Sequence, residues 1–296
     1  MTGLTQEQLN TFDQEGMLCI PNFLTPEQTK KLLDESHLLL SKCDLSTHPK
    51  TTFKTADNDH IGDKYFFESA DKVSFFFDTD AFNDEGVLQI ELSKAINKIG
   101  HGLHMNNELF EKITFDKNVQ DIAKSLGYKD PRVLQSMCIF KQPATITDEE
   151  RENAVPPHTD ATFLYTNPQS AVGFWFALED CTLENGCLAY IPGSHKKYPV
   201  NKRFVRVNGM NKGCNFQHFS DDPEVNEEYK FVPCKAGSLI LINNSVLHKS
   251  EKNKSDKSRY AYAFHVIDGV AKYDELNWLQ IPYTGGTNFS KLYKST

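Results

Sequence analysis

His158-Thr159-Asp160 and His248 are the residues of this chain best suited to hold a metal ion. Residues two apart on an extended strand project to one face, so His158 and Asp160 can offer a ring nitrogen and a carboxylate to the same ion. Read alone the motif is weak: with 10 His and 21 Asp among 296 residues, chance makes such a pair an even bet, and an exposed turn would carry it as well. His248 follows the apolar run SLILINNSVL and precedes the polar run KSEKNKSDKS, a position that also suits a surface histidine. Together the three make a two-histidine, one-carboxylate set, which suits Fe(II) and leaves coordination positions open. Eleven residues past His248, Arg259 opens the last strand-like run, on a face otherwise made by Ala261 and Ala263. A guanidinium turned inward requires an anion, and its fork matches a carboxylate; an internal salt bridge would satisfy it too.

The elements that must position these residues read as short β-type runs after Asp130: VLQSMCIFKQ, ATFLYT, AVGFWFALED, CLAYIP, EYKFVP, SLILIN and RYAYAFHV. That number of short strands between turn residues predicts a jelly-roll. Two runs alternate clearly: Val172, Phe174, Phe176 and Leu178 against Gly173, Trp175 and Ala177, and Tyr260, Tyr262 and Phe264 against Arg259, Ala261, Ala263 and His265. The bulky faces predict packing, and the small faces leave room for a ligand. Upstream, Thr5 with Gln8, and Thr25 with Pro26 and Gln28, predict capped helix starts around a strand in MLCIPNFL. Leu32, Leu33, Leu39 and Leu40 give the second helix an apolar face for the sheet. The polar, aromatic-studded stretch 46–86 reads as a partly structured lid or insertion, followed by helices at about 90–104, 106–114 and 116–126. No repeat marks a second domain. Residues 1–296 are expected to form one, with a helical part at about 1–130, a jelly-roll core at about 131–268 and a tail at about 283–296: mainly β with surrounding helices.

Lys and Arg number 32 against 40 Asp and Glu, a net charge of −8, so no general field draws the chain to nucleic acid. The first residues lack the basic start and apolar core of a signal peptide, no run is apolar enough for a membrane span, and the last three are not the peroxisomal tripeptide. Seven cysteines without a C-x-x-C argue for reduced thiols, hence a cytoplasmic protein without a disulfide framework or zinc knuckle.

H-T-D, then H-x-S with Arg259 beyond it, LENGCLAYIPGSH and a closing HKS…SR…AFH resemble the phytanoyl-CoA dioxygenase family of Fe(II)/2-oxoglutarate oxygenases. FLTPEQ, INKIGHGLH, LQSMCIFKQP, HTDATFLYT and NWLQIP extend the similarity from about residue 5 to 282. The resemblance implies a double-stranded β-helix, a cupin-like jelly-roll barrel with iron at its mouth, held by His158, Asp160 and His248. It implies 2-oxoglutarate and O2 as cosubstrates, with Arg259 and Ser250 on the distal carboxylate and Lys98, Met137, Thr159 and Trp175 on the remaining wall. Thr159 stands where the family commonly has Gln, a position that does not ligate metal. Asp160 disfavours halogenation, which requires a small residue there. His101, His104, His195 and His265 are expected to be structural or substrate-lining. The reaction expected is hydroxylation of a small molecule, with a non-catalytic metal and 2-oxoglutarate sensor, or a cupin-like isomerase or hydrolase, as rivals. Lys196, Lys197, Lys202 and Arg203 are the candidates for holding coenzyme A phosphates, yet the acidic balance predicts that phytanoyl-CoA is not the preferred substrate.

Overall fold

Alternating large and small side chains drive a sheet to bury one face against helices and turn the other toward a second sheet. The computed structural model describes residues 3–50, 64–143, 153–207 and 213–293. Its principal strands, in chain order, are β1 (Met17–Ile20), β2 (Val73–Phe77), β3 (Ile96–His101), β4 (Pro131–Lys141), β5 (Val155–His158), β6 (Val172–Ala177), β7 (Leu188–Tyr190), β8 (Lys230–Val232), β9 (Leu239–Asn243), β10 (His248–Ser250) and β11 (Arg259–Asp268). The larger sheet runs β1-β9-β6-β11-β4-β3-β2, with Ser290–Lys291 also paired to β4, and the smaller runs β8-β7-β10-β5. All these pairings are antiparallel, the arrangement of a jelly-roll.

Phe174 and Phe176 on β6 and Tyr260, Tyr262 and Phe264 on β11 enter one core with Leu32, Leu39 and Leu40 of α2 (Pro26–Leu40) and with residues of the helices Glu108–Thr114 and Lys117–Ser125. The alternate residues Trp175, Ala177, Ala261 and Ala263 face inward with Leu188 and Tyr190 of the smaller sheet. Both capping boxes form: Thr5 and Gln8 start α1 (Gln6–Glu15), and Thr25 and Gln28 start α2 behind Pro26.

Three expectations need correction. The span 90–104 is not one helix: after a single turn at Leu92–Ala95 the chain becomes β3, between β2 and β4. Its apolar residues fit a buried strand as well as a helix face, and pairing with β4 decides the outcome. Gly100 permits that pairing, since a Cβ there would stand 3.1 Å from Met137 Cβ. The run ATFLYT is not a strand; its ends overlap a 3-10 turn, Asp160–Thr162, and the short strand Thr166–Asn167. Polar strands were missed at Val155–His158, Lys202–Arg206, Cys214–His218 and His248–Ser250. Part of the predicted lid, residues 51–63, lies outside the described residues. Its described remainder includes the helix Lys64–Phe67 and β2, an edge strand of the main sheet.

Candidate metal and cosubstrate site

β5 and β10 pair so that His158 lies directly opposite His248. Their rings are 4.2 Å apart between centroids. Each ring is fixed by the same device: His158 Nδ1–H donates to Pro156 O at 2.9 Å, and His248 Nδ1–H donates to Val246 O at 3.0 Å. These bonds leave both Nε2 lone pairs free toward Asp160, whose Oδ1 is 3.8 Å from each Nε2. Burial, reinforced by His248, pushes the His158 imidazole down to about 4, so it is neutral and able to ligate near pH 7. Burial opposes ionisation of Asp160, but the facing His265 and His248 outweigh it and hold the carboxyl below its usual range. The three residues form the metal-competent histidine and carboxylate cluster among the described residues.

Asp160 is not on a strand, as the sequence suggested, but opens the 3-10 turn just beyond β5. Ala161 N–H donates to Asn244 O at 2.8 Å, tying this turn to the one between β9 and β10. The second carboxylate oxygen, Oδ2, faces His265 Nε2 at 3.3 Å, and Gln135 Nε2 donates to His265 Nδ1 at 3.4 Å. Gly173 lies alongside: a Cβ there would stand 3.4 Å from His265 Nε2 and 3.5 Å from Asp160 Oδ2. The alternation of β11 already puts His265 on the face of Arg259, so its position was legible although its contact with Asp160 was not. Gly173 was on the small face left for a ligand, whereas Gln135 carried no comparable signal.

Beneath the cluster is a cavity of about 180 Å³, lined in part by His158, Asp160, His248 and Arg259. Arg259 is 2% exposed, with its guanidinium carbon 5.2 Å from the Trp175 ring centroid. Its Nε and Nη1 are buried without a hydrogen-bond partner, so an internal salt bridge does not satisfy them. Glu179 instead holds the neighbours, accepting from Ser258 Oγ at 3.0 Å and from Tyr260 N–H at 2.9 Å. A buried cation with unused donors beside a two-histidine, one-carboxylate set fits a metal-chelated dicarboxylate. Lys98, Met137, Trp175 and Ser250 line the same cavity. Lys98 is buried, with Nζ over the rings of Phe66 and Phe76, and burial drives its pKa well down. Thr159 is not among the lining residues; its hydroxyl lies 3.2 Å from that of Thr162.

Other sequence candidates fall elsewhere. His104 contacts Ser136 Oγ through Nδ1, and His195 Nε2 donates to Asp13 O. His101 joins His265 in the cavity wall. Lys196, Lys197, Lys202 and Arg203 are ion-paired with Asp13, Glu227, Asp222 and Asp274.

The fold and site define the class of jelly-roll oxygenases that bind a metal through two histidines and a carboxylate. Residues 12–261 match the phytanoyl-CoA dioxygenase (PhyH) family, and the chain belongs to it. It is 41% identical over 288 residues to a phytanoyl-CoA dioxygenase domain-containing protein 1 homolog of Caenorhabditis elegans, covering 96% of this chain and 97% of the relative. It is 42% identical over 278 residues to a phytanoyl-CoA dioxygenase of Arabidopsis thaliana, covering 94% of each. Among solved structures, the epimerase SnoN in complex with Fe3+, α-ketoglutarate and nogalamycin RO shares the fold, with a TM-score of 0.62 at 16% identity over 90% of this chain and 85% of that one. Among the described residues, no helix is long and apolar enough to cross a membrane.

Proposed function

We propose that this chain couples oxidative decarboxylation of 2-oxoglutarate, giving succinate and CO2, to hydroxylation of a small apolar molecule. His158, Asp160 and His248 would hold Fe(II), which supplies the O2 chemistry when bound. The observation that carries the reading is Arg259: its buried, unpartnered nitrogens line the cavity that the metal cluster also lines. Arg259 with Ser250 binds the far carboxylate of 2-oxoglutarate, and Lys98, Met137 and Trp175 enclose its chain, excluding water. Thr159 is assigned a supporting contact at the turn that carries Asp160. Both histidines are oriented through their Nδ1 bonds, His158 is held neutral by burial, and His265 faces the carboxylate of Asp160.

The substrate side of the cavity is walled by Phe66, Phe163, Phe204 and Phe216, which supports an apolar substrate. The four basic residues considered for coenzyme A phosphates are already neutralised by acids, which supports the reading that phytanoyl-CoA is not preferred. Efficient hydroxylation of phytanoyl-CoA by the purified protein would sink that part. Seven unpaired thiols support a reducing compartment, the cytosol.

Calorimetric titration of 2-oxoglutarate into the Mn(II)-loaded protein tests the assignment. Arg259→Ala should weaken binding by roughly 2–5 kcal/mol, more than tenfold, by leaving a buried carboxylate unpaired. Arg259→Lys should recover only part, since a point charge lacks the fork, and metal affinity should be unchanged in both. Parent-like binding by Arg259→Ala would remove the cosubstrate assignment.

A further inference from the structure

Cys181 and Cys234 face each other across an isolated antiparallel bridge. Each donates its backbone N–H to the other's carbonyl, Cys181 to Cys234 at 2.8 Å and Cys234 to Cys181 at 3.0 Å. In such a hydrogen-bonded pair the Cα atoms are about 5.5 Å apart and the side chains share a face. That spacing falls within the about 4.4–6.8 Å between Cα atoms that a disulfide spans. The thiols are neighbours: Cys181 Sγ donates to Glu179 O at 3.5 Å, and the Cys234 thiol is close enough to those of Cys181 and Cys19 to alter their ionisation. Cys234 and Cys19 are partly exposed, whereas Cys181 is buried in the inner core beneath the smaller sheet. The neighbouring Cys234 thiol and, to a smaller extent, the Arg259 charge favour the thiolate at Cys181 against the opposing effect of burial.

We propose that Cys181 and Cys234 form an oxidant-sensitive thiol pair, which a hydroperoxide converts reversibly into a disulfide. One sulfur takes an oxygen from the hydroperoxide and becomes a sulfenic acid, releasing an alcohol, or water when the oxidant is hydrogen peroxide. The second sulfur displaces that hydroxyl, the S–S bond forms, and the hydroxyl leaves as water with the remaining thiol proton. Two thiols are oxidised and one peroxide O–O bond is reduced. The link closes residues 181–234 into a covalent loop. That loop carries Leu188, Phe204 and Phe216, three residues of the cavity wall, so oxidation staples the base of the segment that encloses the substrate side.

The test treats the full-length, Mn(II)-loaded protein with hydrogen peroxide, alkylates remaining thiols after denaturation, and maps peptides by mass spectrometry without reductant. A Cys181–Cys234 cross-linked peptide should become dominant, alkylation of both residues should fall at least tenfold relative to the buried Cys138, and dithiothreitol should restore it. In Cys234→Ser, Cys181 should remain open to alkylation. Undiminished alkylation of the pair, a Cys19–Cys234 link in its place, or equal loss of Cys181 in Cys234→Ser would overturn the pairing. Amide exchange across residues 230–237 should slow at least fivefold on oxidation; unchanged exchange would overturn the stapling. The reduced Cys181→Ser variant, compared beside it, separates loss of the thiol from formation of the link.

Discussion

His158 and His248 set their rings through their own local backbone, each through a bond from Nδ1 to the carbonyl two residues back, on β5 for His158 and in the turn before β10 for His248. Asp160 has no such local anchor; His265 of β11 faces its Oδ2 across 3.3 Å, an ion-pair contact without a formed hydrogen bond. Partners of this kind orient a ligand and typically govern metal affinity 10–100-fold. His265→Ala should therefore weaken Mn(II) binding by about 10–100-fold while leaving far-UV circular dichroism unchanged, and His265→Gln should recover part through its amide N–H. Metal titration of the three proteins measures this, and equal affinities would show that Asp160 holds its position alone. At this scale the sequence was informative because ligand chemistry is carried by residue type: His, Asp and Arg in this order leave few alternatives. The contact between His265 and Asp160 was hidden, since it depends on a turn that follows β5 and on the absence of a side chain at Gly173.

Elements were legible where local chemistry decides them. Each Thr and Gln capping box contains its own reciprocal bonds, and the alternation along β6 and β11 records a buried face against a cavity face. They were obscure where pairing decides. β3 carries residues compatible with a helix face and becomes a strand only because β2 and β4 flank it. β5 and β10 are too short and polar to stand out, although they carry both histidines. Thr25→Ala removes the acceptor that receives Gln28 N–H at 3.2 Å and should cost about 1 kcal/mol in urea unfolding, with ligand binding preserved. Gly173→Val tests the opposite case, an element whose small face serves the site. Its branches would press on Asp160, His265 and Ile242, so metal affinity should fall at least tenfold in protein that retains its circular dichroism spectrum. Retained affinity would mean that β6 does not set the space around Asp160.

Across the whole molecule, helices cover one face of the large sheet, and the small sheet closes over the other to form the cavity. This layering was anticipated from strand number and alternation, whereas the route of residues 64–101 was not, because it depends on edge pairing far along the chain. Burial also makes stability depend on pH. His104 is almost fully buried and its pKa is pushed down to about 4 from 6.5, because burial penalises the charged ring. Its contribution is thus complete above about pH 6.5 and is lost as pH falls from there toward 4, amounting to about 3 kcal/mol at the acid end. His104→Gln should flatten that part of the stability profile in urea unfolding; an unchanged slope would place the acid sensitivity elsewhere. Purified protein loaded with Fe(II) should release labelled CO2 from 1-labelled 2-oxoglutarate in air, with matching succinate, and His158→Ala and Asp160→Ala should abolish it while remaining folded. Release that is absent from the parent despite measurable 2-oxoglutarate binding, or undiminished in both variants, would contradict the account.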